Sequence, residues 1–104
     1  MSALDAAKVD GKHYKILSEN EHVRVLKGHY GPREKSVMHS HPSLVAVFLT
    51  DAKGRFTFPD GKTEDFALKA GDAAIFPSTT HLPENTGDKA FDFILVELKG
   101  AAGK

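Results

Sequence analysis

The stretches of this chain that are rich in β-branched and aromatic residues are all short, and all but the first, which ends at Ser18-Glu19-Asn20-Glu21, are closed by a glycine, proline or aspartate turn. That punctuation constrains the fold more than any other feature, because it leaves no stretch that reads as a long helix. Strands are expected at 13–17 (HYKIL), 22–30 (HVRVLKGHY), 44–50 (LVAVFLT), 55–58 (RFTF), 63–69 (TEDFALK), 73–76 (AAIF) and 90–98 (AFDFILVEL). Turns are expected at Gly31-Pro32, Asp51-Ala52-Lys53-Gly54, Pro59-Asp60-Gly61-Lys62, Ala70-Gly71-Asp72 and the PENTGDK segment 83–89. With an extended stretch at His39–His41 the count is about eight short strands. In 22–30 the dense β-branched residues and Gly28 argue against a helix. Regular turns between short strands predict an all-β sandwich or small barrel, and closure into a barrel leaves few raw edges.

Residues 1–12 carry too few apolar positions for more than a weak helical turn, and are expected to form a flexible arm or a strand that pairs only in an oligomer. The domain itself is expected over 13–99, with a polar tail at 100–104. A chain of 104 residues fits one domain. Its 14 basic and 14 acidic residues are interspersed, so no basic stripe for nucleic acid is present. No apolar run approaches the length of a membrane span, and the N-terminus lacks the apolar core of a signal peptide. The absence of cysteine fits a cytoplasmic location and leaves only His, Asp, Glu or water to hold a metal. Zero net charge puts little repulsion in the way of a homodimer.

The chemistry is concentrated in Met38-His39-Ser40-His41-Pro42. Side chains two apart on an extended segment share a face, so His39 and His41 stand side by side. Pro42 keeps His41 extended. Imidazole pairs of this kind suit Zn, Fe, Ni or Cu. His81 follows forty positions after His41, and only tertiary structure can bring it near.

Gly31 followed by His39-Ser40-His41, and then Gly71-Asp72, Pro77, His81 and Asn85, resemble the two motifs of the cupins in the correct order. The resemblance runs from about Tyr14 to Lys99 and implies a double-stranded β-helix, or jelly-roll β-barrel. It also implies that His39, His41 and His81 are metal ligands, with Zn, Fe, Ni or Mn as the divalent ion. Where that family usually has a glutamate, this chain has Val45 and Ala46, and Thr stands where a glycine often precedes the third histidine. Two readings follow: an all-histidine metal site with open positions for water or an anionic ligand, or a pocket that has lost its metal and binds a small ligand through His and Thr.

The fourth ligand is expected to be water, Glu84 or Glu97. Glu84 lies in a loop expected to be solvated, and Glu97, near the chain end, is expected to point outward. Asn85 is expected to cap its turn. Tyr14, His29 and Tyr30 are candidates for the pocket mouth, and Thr79 or Thr80 for partners of the metal-bound rings. The phenylalanines at 48, 56, 58, 66, 76, 91 and 93 supply an apolar lining suited to a small organic molecule. The resulting functions are a metal-dependent enzyme of dioxygenase, isomerase or lyase type, a non-catalytic binding or sensor module, or a structural dimer.

Overall fold

The computed structural model describes residues 4–100, so most of the expected tail at 100–104 and the first three residues of the expected arm lie outside it. A short helix, α1 (Ala6–Val9), precedes β1 (Tyr14–Glu19), β2 (Val23–Tyr30), β3 (His39–His41), β4 (Leu44–Phe48), β5 (Ala52–Thr57), β6 (Thr63–Leu68), β7 (Ala73–Phe76), β8 (Thr79–Asn85) and β9 (Phe91–Leu98). All of the pairing between these strands is antiparallel.

The strands form two sheets, one in the order β1-β2-β9-β4-β7 and the other in the order β3-β8-β5-β6. No strand belongs to both, so the expected closed jelly-roll barrel is not formed; the molecule is an open two-layered sandwich. The edges that closure would have removed are blunted in other ways. β3 has only three residues, β1 carries a bulge between Ile16 and Ser18, and β6 presents Glu64 and Asp65. β7 has four residues and runs into Pro77.

Alternation along the two longest strands builds the interior. Arg24, Leu26, Gly28 and Tyr30 of β2 turn inward, as do Phe91, Phe93, Leu95 and Glu97 of β9. The register sets them opposite one another: Leu26 against Leu95, Gly28 against Phe93, Tyr30 against Phe91, and Arg24 against Glu97. Leu26 and Tyr30 are wholly buried, and each such side chain contributes about 1.5–3 kcal/mol through removal of apolar surface from water. A Cβ at Gly28 would overlap the Phe93 ring, so this position is glycine because the aromatic ring crosses the backbone there. On the outer face of the same sheet, Val23, Val25, Val45, Val47, Ile94, Val96 and Leu98 are half-buried, and Ile75 stands 79% exposed.

The segment before β1 is docked on this frame. Ala6 is fully buried, and Asp5 and Asp10 are 2% and 7% exposed. The Ser40 amide donates to the Leu4 carbonyl (2.8 Å), tying the segment alongside β3. Its sequence carries little apolar signal because buried carboxylates do much of the anchoring. Among the described residues no helix is long and apolar enough to cross a membrane.

Candidate metal centre

β3 supplies two of the histidines and β8 the third. Ser40 faces away between His39 and His41, bonding its hydroxyl to that of Thr80 (2.7 Å). The β3–β8 register sets His39 directly opposite His81. One antiparallel pairing therefore closes a gap of forty residues and brings all three rings together. Their ligand atoms lie within 4.8 Å of one another, the only such cluster of three or more His, Asp or Glu groups among the described residues. The rings are nearly perpendicular in pairs, at 83°, 80° and 78°, with centroids 4.8, 5.1 and 5.4 Å apart.

The nitrogens divide into an engaged set and a free set. Ser36 Oγ donates its single proton to Asp10 Oδ2, so towards His39 Nδ1, 3.1 Å away, it acts as acceptor. His41 Nδ1 donates to Glu97 Oε2 at 2.7 Å. Both rings thus carry their proton on Nδ1 and leave the Nε2 lone pair facing inward. The Nε2 atoms of His39 and His81 are buried with no hydrogen-bond partner. Orphaned buried nitrogens are rare because they forfeit their bonds to water. Two of them aimed into one cluster fit a metal ion as the missing partner.

Burial holds His39 down to about pKa 4, with His41 adding repulsion. Burial, with His41 and His39 adding to it, holds His81 down to about 3. At neutral pH both rings are unprotonated, the form that ligates metal.

Glu97 overturns its expected place. It is fully buried rather than solvated, because it continues the inward face of Phe91, Phe93 and Leu95. Its charge is matched by Arg24 on the neighbouring strand, whose Nε and Nη2 donate to Oε1 at 2.9 and 2.5 Å. Arg24 also forks onto both oxygens of Asp5. Asp5, Arg24 and Glu97 make a buried chain ending on His41. A second chain runs behind His39: Ser36 and His13 Nδ1 share Asp10 Oδ2, and His13 Nε2 reaches Glu34 (3.1 Å). None of Asp5, Asp10, Ser36 or Arg24 was a candidate from sequence. A charged Arg24 at alternation with Leu26, Gly28 and Tyr30 was the signal available for the first chain.

Glu84 lies opposite Arg55 in the β5–β8 pairing and is outside the cluster. Asn85 caps its turn as expected: its amide donates to the Gly31 and Lys89 carbonyls, and its Oδ1 accepts from the Gly87 amide. Tyr14 lies edge-on over His39 and His41, with its hydroxyl bonded to that of Tyr30 (2.8 Å). Burial, with Tyr30 alongside, pushes the Tyr14 phenol well above its ordinary value. Tyr30 is buried against His13 instead of lining a mouth, and His29 is 53% exposed and paired with Asp92. Thr80 bonds Ser40, and Thr79 borders the cavity; neither hydroxyl bonds a histidine ring.

A cavity of about 440 Å³ opens between the sheets beside His41 and His81. Ala46 is part of its wall, so the place where a first-motif glutamate was sought holds a methyl group. The remaining lining is mostly phenylalanine and leucine.

The family profile described as the cupin domain matches residues 26–97. A cupin domain from Bordetella pertussis is 25% identical, with a TM-score of 0.77 over 84% of this chain and 92% of that one. A double-stranded β-helix protein of Klebsiella pneumoniae is 27% identical, with a TM-score of 0.66 over 86% and 78% of the two chains. A polyketide cyclase of Streptomyces resistomycificus, at 18% identity, has a TM-score of 0.61 over 82% and 63%, and shares the fold. Compared with curated protein sequences, the chain matches none.

Proposed function

The chain belongs to the cupin family, and from that premise we propose that it holds a divalent metal ion on His39, His41 and His81 and presents it to a small organic molecule in the adjoining cavity. The observation that carries this reading is the pair of buried, partnerless Nε2 atoms on His39 and His81. Zinc, iron, nickel or manganese all accept imidazole nitrogen, and three neutral ligands leave the ion its full charge. Such an ion supplies Lewis-acid polarisation of a bound oxygen or, with iron, activation of dioxygen.

The protein's own contribution is placement. Glu97 and Ser36 fix the tautomers of His41 and His39. Tyr14 packs edge-on against both rings, and its raised pKa keeps the phenol protonated. The aromatic walls exclude water from the organic part of the ligand. The same geometry supports a second reading, a binding or sensor module. Of the acids and bases near the histidines, Glu97 is tied to Arg24 and Tyr14 to Tyr30, and the other polar groups on the wall are Thr79 and the exposed Glu64 and Asp65.

Elemental analysis of natively purified protein, with melting curves before and after metal addition, tests the site. About one equivalent of metal and a rise in Tm are expected. Under about a tenth of an equivalent, with no rise, removes the metal reading. The aliphatic outer face of the five-stranded sheet, together with zero net charge, also supports the homodimer expected from sequence.

A further inference from the structure

Six of the chain's seven phenylalanines face one space. Phe48, Phe56, Phe58, Phe66, Phe76 and Phe93 all border the 440 Å³ cavity. A site for sugars or dicarboxylates pairs each ligand oxygen with a polar group, because a buried oxygen without a partner loses its bonds to water. Here the polar lining consists of His41, His81, Thr79, the Tyr14 hydroxyl already bonded to Tyr30, and two exposed carboxylates, Glu64 and Asp65. The rest is phenyl ring, aliphatic side chain and Pro77.

One wall is flat. Phe66 stacks on Phe56 with centroids 4.6 Å apart and planes 25° apart, and Phe56 stacks on His81 at 4.7 Å and 9°. The last ring in that series is an imidazole whose free nitrogen belongs to the three-histidine cluster. A planar aromatic ring laid along this column sets its face against the ring edges, a favoured edge-to-face contact, and brings one rim to the histidines.

Charge narrows the ligand further. Among the described residues the lining includes no lysine or arginine, and its only charged members are acidic. Asp65 is held by Arg55 at 2.8 Å, and Glu64 is exposed. A second carboxylate at the solvent end of a ligand would meet like charge. Benzene fills a cavity of about 150 Å³, so the space here holds two fused rings with a short substituent.

We infer that the cavity takes a planar aromatic molecule of one or two fused rings, whose single polar end, a phenolic or enolic oxygen, is directed at His39, His41 and His81. The oxygen end of this inference rests on the metal reading above; the aromatic end stands on the cavity wall alone.

Calorimetric titration of 2,3-dihydroxynaphthalene, oxalate and glucose into zinc-loaded and metal-free protein tests it. The naphthalene diol is expected to bind the zinc-loaded protein at least about tenfold more tightly than oxalate or glucose, and to bind the metal-free protein more weakly. Equal or tighter binding of oxalate or glucose overturns the inference, while zinc uptake in the same experiment upholds the metal site. Diol binding without zinc uptake upholds the aromatic cavity and removes the metal. Absence of diol binding to either form overturns the inference outright. Phe66→Leu is expected to weaken diol binding about fivefold, and an unchanged affinity in that folded variant removes the stacked wall as the ligand's contact.

Discussion

Glu97→Gln tests the buried chain behind His41 with a minimal change of shape. The native carboxylate accepts two bonds from Arg24 on Oε1, at 2.9 and 2.5 Å, and one from His41 Nδ1 on Oε2, at 2.7 Å. A glutamine that keeps its oxygen towards Arg24 must turn its NH₂ towards His41, setting two donors against each other. His41 resolves the conflict by moving its proton to Nε2, the nitrogen that faces the cluster. The opposite rotamer restores His41 and sets the NH₂ against the Arg24 guanidinium. Either arrangement loses a hydrogen bond to a charged group, about 1.5–3 kcal/mol, and leaves Arg24 with Asp5 as its only anion. Breaking a buried ion pair from one side costs about 3–5 kcal/mol, and the retained amide contact puts the expected loss near the lower figure, about 3 kcal/mol. For a domain of this size that is a drop in Tm of about 12–24 °C. Metal affinity should fall by about 10–100-fold. Urea denaturation of the metal-free protein gives the first quantity and competition with a chelating dye the second. A loss below about 1 kcal/mol together with unchanged affinity refutes the idea that this carboxylate sets the ring.

Three other perturbations have defined outcomes. Unfolded histidines take up a proton near pH 6.5, whereas folded His39 and His81 stay neutral down to about 4 and about 3. The unfolded state therefore binds more protons in that window, and the metal-free protein should lose stability as pH falls from about 6.5 towards 4; a urea midpoint that does not move between pH 7 and 5 contradicts it. Gly28→Ala drives a Cβ into the Phe93 ring and should cost about 1–3 kcal/mol by overpacking, read as a lower Tm; wild-type stability would mean that the ring has room to yield. Val96→Lys, in the middle of the outer apolar face, should convert a dimer to monomer in sedimentation velocity with little change in monomer stability; a monomeric wild-type protein removes the proposed association.

The sequence reached the strands and the three histidines because both depend on short-range rules. Alternation puts His39 and His41 on one face, and turn residues mark where the chain reverses. The motif order then paired His81 with them. Closure was the wrong expectation because edges can be protected by shortness, bulges and charge as well as by pairing, and sequence does not say which device is used. Glu97 was misplaced by its position near the chain end, although its alternation with Phe91, Phe93 and Leu95 already pointed it inward. Asp5, Asp10 and Ser36 were invisible for a different reason. Their roles arise from contacts of a segment with little apolar pattern, and buried charge leaves no periodic trace when its partner lies on a distant strand.

The order in which the chain is made has its own consequence. Among the described residues β9 is the last strand in sequence, and it lies in the middle of its sheet, between β2 and β4. Until it arrives, Arg24 lacks Glu97, 73 positions further on, and His41 lacks the acceptor that fixes its proton. A nascent chain emerging from the ribosome therefore displays two adjacent histidines on β3 long before it can orient them, and late non-local contacts of this kind are slow to form. The proposed metal site is therefore complete only once β9 is in place. Metal capture during refolding should lag behind strand formation and report the insertion of β9.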